Sequence, residues 1–180
     1  MKNLYGLDKP YIKKDGNRFD IIYNSRNLIN FKLNIGIQLS PKRNIIIPEW
    51  IKNNKLFLSA FLRGIFDTDG CLSFKSKNGN PHNYPIISIS LKDKCLIYEL
   101  VKSLTLFDVT LNKFKEKTFD KRYNKKYTKY GINISGRNNL NIFLKEIKFN
   151  NWKHISKYLI WQKFGLCPPK KLEKNRPSWE

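Results

Sequence analysis

The chain has no apolar run long enough to span a bilayer, and its opening Met1-Lys-Asn-Leu-Tyr-Gly-Leu-Asp8 has no apolar signal-peptide core. Both absences predict an intracellular protein without a signal peptide, cytoplasmic or organellar. Cysteine is scarce: Cys71, Cys95 and Cys167 are odd in number, widely spaced and never form a Cys-x-x-Cys pair. The two histidines, His82 and His154, are far apart. A structural zinc site is therefore disfavoured, and reduced thiols suit an intracellular compartment. Acid is scarce too: 14 Asp and Glu stand against 35 Lys and Arg, a net charge of +21. Such an excess repels itself in a compact chain unless a polyanion is near. Nucleic acid is the leading polyanion, because each neutralised phosphate releases counterions. An anionic membrane is the runner-up, but no amphipathic basic helix is present to lie on one. The plainest alternative is a generally basic soluble protein.

What is present is enough to build a core, with 41% hydrophobic residues in 180, room for one ordinary domain or two small ones. Residues 1–16 read as a polar lead-in, Arg18 to Tyr23 as a short strand, and Leu28 to Ile37 as a helix after Asn24-Ser-Arg-Asn27. Ser40 to Asn44 is a connection, and Pro48 to Ile51 opens a helical turn broken at Asn53 or Asn54. Lys55 to Asp67 is the clearest helix: Phe57, Phe61, Ile65 and Leu58, Leu62, Phe66 recur at four-residue steps. Ala60 and Gly64, small and four apart, would let a second helix approach closely.

Strands follow at Leu72 to Lys77 and Pro85 to Leu91, with a turn at Asn78-Gly-Asn-Pro81. Asp93 caps a helix to about Leu106. A second strand pair, Val109 to Glu116 and Tyr127 to Ser135, is joined by a long basic loop with Lys121, Arg122, Lys125 and Lys126. Helices at Asn138 to Ile147 and His154 to Phe164 close the chain before Pro168-Pro169. The order predicts an α+β fold, an antiparallel sheet with helices on one face. The other face is rich in Ser, Lys and Asn. Segments 18–31 and 129–143 both read as strand, an Arg-Asn turn, then helix, so residues 1–50 resemble the tail of a preceding repeat. Chance likeness between Asn-rich segments is the rival account. Residues 51–167 form a whole unit and 168–180 a tail.

Chemistry would sit in Leu62-Arg-Gly-Ile-Phe-Asp-Thr-Asp-Gly70. Asp67 and Asp69 fall at the C-terminal end of a helix, where partial negative charge disfavours acids. A divalent cation would offset that cost, and magnesium prefers carboxylate, water and phosphate oxygens. The alternative is a simple Asp-Gly turn.

This segment resembles the motif of the LAGLIDADG homing-endonuclease family, matching its Leu, both Gly and both Asp. The order of elements is similar to that family's αββαββα fold over about residues 51–167. Arg63, where the motif has Ala, departs from it. The resemblance implies two motif helices packed about a two-fold axis, through Ala60, Leu62, Gly64, Asp67 and Gly70. It implies that Asp69 binds Mg2+ (or Mn2+) at the cleavage centre, and that Lys92 and Lys153 stand where related proteins carry basic residues near the scissile phosphate. The sheets would saddle double-stranded DNA, with Ser73, Lys75, Lys77, Ser88, Ser90, Asn112, Lys121, Arg122, Lys125, Lys126 and Lys129 as contacts. A one-residue error in register would reverse that face. Phe74, Phe114 and Tyr130 read as core or edge.

One motif supplies half a centre. A homodimer would complete it, as would a missing N-terminal half. Three readings stand: a metal-dependent, site-specific endonuclease of an intron or intein; an inactive DNA- or RNA-binding protein of the intron-splicing maturase kind; and a truncated fragment.

Overall fold

The computed structural model describes residues 10–16, 18–38, 43–121 and 123–169. The chain divides into two compact units, Met1–Lys42 and Arg43–Glu180.

In the smaller unit, β1 (Tyr11–Asp15) and β2 (Arg18–Ile22) form an antiparallel hairpin, with Tyr11 opposite Ile22 and Asp15 opposite Arg18. Gly16 takes φ 57° in the turn, where a Cβ would be strained. The Ser25 hydroxyl accepts the Leu28 N–H at 3.2 Å and caps α1 (Arg26–Asn34). β1 makes a strand of Tyr11–Asp15, where a loose lead-in over residues 1–16 was expected, and residues 1–9 of that lead-in lie outside the described residues. Its Tyr-Ile-Lys-Lys-Asp run has no useful alternation, and pairing with β2 makes it a strand. No residue of α1 is buried, and Phe19, Ile21, Phe31 and Leu33 are exposed.

The larger unit comprises α2 (Glu49–Lys52), α3 (Lys55–Thr68), β3 (Gly70–Lys77), β4 (Asn80–Leu91), α4 (Lys94–Thr105), β5 (Asn112–Asp120), β6 (Lys125–Ser135), α5 (Arg137–Glu146) and α6 (Trp152–Phe164). From α3 to α5 the order is αββαββα. The four strands form one antiparallel sheet in the order β3-β4-β6-β5. Leu72, Phe74, Ile87, Ile89, Ile132 and Ile134 from the sheet join Leu58, Leu62, Phe66, Leu100, Leu140 and Phe143 from the helices in one core. Phe66 meets Phe143 edge to face at 5.1 Å.

Local chemistry sets the boundaries. The Asn54 side chain accepts the N–H groups of Leu56 and Phe57 at 3.0 and 3.1 Å and starts α3. Asn78 and Gly79 both have positive φ, the requirement of a tight hairpin turn between twisted strands. Asp93 caps α4 by accepting the Leu96 N–H at 2.8 Å.

Two strand boundaries shift. β5 begins at Asn112 rather than Val109, because Phe107 and Val109 turn into the core ahead of it. The long basic loop shrinks to a turn, with Lys121 in it and Lys125 and Lys126 already on β6. Arg122 lies outside the described residues, as do residues 40–42 of the predicted connection and 170–180 of the tail. Gly165, at φ 71°, ends α6 before the prolines are reached.

The last helix covers an edge of the sheet. β3 is an outer strand, and the Leu72 peptide turns away from β4. Its N–H donates to His154 Nδ1 at 3.4 Å, and its carbonyl accepts from Lys157 Nζ at 2.8 Å. Trp161 stacks on Phe74 at 5.3 Å and donates Nε1–H to the Asn83 carbonyl at 2.9 Å. Among the described residues no helix is long and apolar enough to cross a membrane.

Candidate nucleic-acid interface and acidic motif

The two motif carboxylates have different surroundings. Asp67 accepts the Asn150 N–H at 3.0 Å (Oδ2) and the Asn151 N–H at 3.1 Å (Oδ1). Asn151 Nδ2 donates in turn to the Asp67 carbonyl at 2.8 Å. Asn151 is also the N-cap of α6, its side chain accepting the Lys153 N–H at 2.9 Å. Asp67 thus sits at the positive end of α6, which offsets its place at the negative end of α3. For Asp67, peptide N–H groups supply what the sequence argument sought from a cation.

Asp69 is the C-cap of α3 and exposed, with the Thr68 hydroxyl 3.1 Å from Oδ2. No cluster of three His, Cys, Asp or Glu that could hold a metal occurs among the described residues. Of the two motif carboxylates, Asp69 is the one left exposed to solvent. That fits Mg2+ or Mn2+ where phosphate oxygens, water and a second carboxylate complete the shell.

The predicted helix-interface set divides. Leu62 is fully buried in its own domain, because it faces the sheet. Gly70 is buried where the chain turns from α3 straight into β3, and a Cβ there would strike the Phe66 carbonyl. Asp67 is taken by the loop before α6. Ala60 and Gly64 are exposed, and nothing lies within 4 Å of where a Gly64 Cβ would be. Phe57, 50% exposed, and Thr68 extend the same open stripe. Arg63 points away from it: its Nε donates to the Ile147 carbonyl at 2.7 Å, beside Ser59 Oγ on the Glu146 carbonyl at 2.6 Å. Both side chains cap the end of α5.

The register sorts the proposed contacts. Residues directly opposite across antiparallel strands share a face. Cys71 and Asn133 lie opposite Ser88, Ser73 opposite Ile86, Ser90 opposite Gly131, Lys75 opposite Tyr84 and Asn112 opposite Asn133. All fall on the face away from the core isoleucines Ile87, Ile89, Ile132 and Ile134. Lys129, opposite Glu116, and Lys125, opposite Asp120, share that face by alternation, while Lys126 turns to the helix side. Lys77 follows a register irregularity and sets its ammonium 4.0 Å over the Tyr84 ring. Phe114 lies across Gly131, filling the space a Cβ would need. Phe74 is core, and Tyr130 packs against it.

Lys92 follows β4, and because Gly70 pairs with Ile89 it stands at the same end of the sheet as Asp69. Its ammonium lies 3.9 Å over the ring of Tyr127, which Lys129 also approaches at 5.7 Å. Tyr127 was not singled out by the sequence; alternation of β6 alone would have put it on the open face. Lys153 is exposed in the first turn of α6, next to the loop that holds Asp67.

His154, one residue on, is fully buried and was also missed, since a lone histidine in a polar helix gives no signal. Burial holds its pKa below the usual 6.5, helped by Lys153 and Lys157 and opposed by Asp67.

The LAGLIDADG-like domain family matches residues 56–148, more than half of the chain. The chain is 28% identical over 150 residues to a Methanocaldococcus jannaschii protein named glutamine–fructose-6-phosphate aminotransferase [isomerizing]. It is 32% identical over 140 residues to the same organism's replication factor C small subunit. These alignments take in 82% and 78% of this chain but only 13% and 7% of those proteins. The matched family is generally one of nucleases that bind DNA, typically dimerise and usually use divalent metals. By the matched region, the motif and the αββαββα order, the chain belongs to the LAGLIDADG-like domain family of homing endonucleases and maturases.

Proposed function

We propose that this chain is one half of a site-specific endonuclease that hydrolyses double-stranded DNA to spread the intron or intein encoding it. The carrying observation is the division of labour at the end of α3: Asp67 is consumed by the α6 N-terminus, while Asp69 is left exposed. The alignments support a mobile element. The chain aligns with only a small part of each of two proteins with unrelated names.

In this reading the exposed stripe Phe57, Ala60, Gly64 and Thr68 packs against a second motif helix. A second copy would bring its own Asp69. A preceding half would do the same, and β1, β2 and α1 repeat the order of β5, β6 and α5, as the tail of such a half would. Mg2+ or Mn2+, when bound, would supply charge stabilisation to the attacking and leaving oxygens. Asp69 would hold that ion at the helix end. Lys92 would carry positive charge to the scissile phosphate, kept in place by the Tyr127 ring, and Lys153 would meet phosphate at the α6 N-terminus. Ser73, Lys75, Ser88, Ser90, Asn112 and Lys129 would face the groove.

The test is a cleavage assay on duplex DNA spanning the empty insertion site, with Mg2+, comparing the chain with Asp69→Asn. Cleavage that Asp69→Asn abolishes while binding survives is the expected result. Intact DNA that is nonetheless shifted in a gel would sink the enzyme reading and leave a maturase-like binder.

A further inference from the structure

We infer that the chain carries a second nucleic-acid site, for a single strand, in the groove between α4 and β5 on the helix side of the sheet. The inference does not depend on DNA cleavage.

Side chains alternate along β5. Lys113 lies opposite Ile132, Lys115 opposite Tyr130 and Lys117 opposite Thr128. Ile132 is buried in the core, so this row of lysines projects to the helix side, away from the face proposed for the duplex. All three are exposed, on an outer strand. Lys94, Tyr98 and Lys102 recur at four-residue steps along α4 and form one stripe, and Lys94 and Tyr98 line the same cavity as Lys113. Lys102 sets its ammonium 4.6 Å over the Tyr98 ring, and Lys115 approaches Tyr130 at 6.0 Å. The helical stripe is about 12 Å long and the strand row about 13 Å, so the two rows match in length.

Between them is a cavity of about 600 Å³, lined by Ile46, Ile97, Tyr98, Val101, Lys113 and Tyr130. That size suits a small planar ligand. The acidic residue in its wall, Glu99, is paired with Lys52 at 3.3 Å, so the groove keeps its positive charge.

An apolar floor with two tyrosines, flanked by two rows of ammonium groups, matches one chemistry: a planar base with phosphates on either side. A base inside a duplex cannot present its face to such a floor, whereas an unpaired base stacks on aromatic rings regardless of sequence. The lysine rows would then track the backbone of the strand.

The test uses the full chain and a fluorescein-labelled oligouridylate of about twelve nucleotides, with an oligothymidylate of the same length as the second arm. Anisotropy is read at physiological salt for the wild type, Tyr98→Ala, Lys113→Glu/Lys115→Glu and a charge-matched control, Lys145→Glu/Lys148→Glu. The Tyr98 variant and the Lys113/Lys115 variant should each weaken single-strand binding by about tenfold, the control far less. Neither should alter duplex binding comparably, while Lys75→Glu on the open face should do the reverse. Preference between the two arms says whether RNA or single-stranded DNA is held. Equal loss for the control, equal loss of duplex binding, no binding of either oligonucleotide, or displacement by polyglutamate as readily as by oligonucleotide would each overturn the inference. Circular dichroism of every variant checks folding. Should Tyr98→Ala unfold, Tyr98→Leu keeps an apolar side chain in the wall of the groove and removes the stacking face. A duplex that is never cut would sink the endonuclease reading and leave this one standing.

Discussion

Asp67 and Asn151 hold each other from both ends. The Asn151 N–H donates to the Asp67 carboxylate at 3.1 Å, and the Asn151 amide donates to the Asp67 carbonyl at 2.8 Å. The motif helix is thereby clasped to the helix that closes the domain.

The first prediction separates the two motif aspartates. Asp67→Ala removes a carboxylate that acts as a helix cap and should cost about 1 to 2 kcal/mol. Asp69→Asn should leave stability unchanged or slightly raised, since it deletes a negative charge at a helix C-terminus. Urea midpoints at constant slope measure both. Asp69→Asn lowering the midpoint as much as Asp67→Ala would contradict the division of labour.

His154 gives a pH dependence. Its folded pKa lies below the ordinary 6.5, because burial disfavours the imidazolium. Below about pH 6.5 the unfolded chain therefore binds more protons than the folded one. The contribution is present in full above that pH and declines as the pH falls, by at most about 1.4 kcal/mol per unit. His154→Gln should flatten this part of the stability curve. An unchanged acid limb in that variant would assign the loss to other groups.

Arg63, the departure from the family motif, should matter to stability and not to DNA. Its charge-assisted bond to the Ile147 carbonyl predicts a loss of about 1.5 to 3 kcal/mol for Arg63→Ala. Its duplex affinity, measured where the variant is still folded, should match wild type.

Gly64 offers a test with opposite signs. Nothing surrounds its missing Cβ, so Gly64→Ala should stabilise the isolated domain by up to about 1 kcal/mol through helix propensity. If α3 packs against a second helix there, the same change should weaken self-association, seen by sedimentation at several concentrations. A domain that is stabilised while its association is untouched would move the contact elsewhere.

Much of this was legible in the sequence. The four-residue steps marked α3, and Asp93 marked the start of α4, because each signal is local to one element. The rest depends on partners remote in sequence. Asp67 finds its donors at Asn150 and Asn151, more than eighty residues away. Arg63 does the same at Ile147. The start of β5 lies three residues later than the sequence suggests, because Val109 is apolar for the core's sake.

The outer edge of β3, covered by α6, bears on how copies of this chain meet. His154 and Lys157 satisfy the Leu72 peptide, so no foreign strand can extend the sheet there. On the opposite margin the alternating lysines of β5 repel a like strand. Edge-to-edge pairing of the four-stranded sheet is thus opposed at both margins, so further growth of that sheet is disfavoured even at high protein concentration.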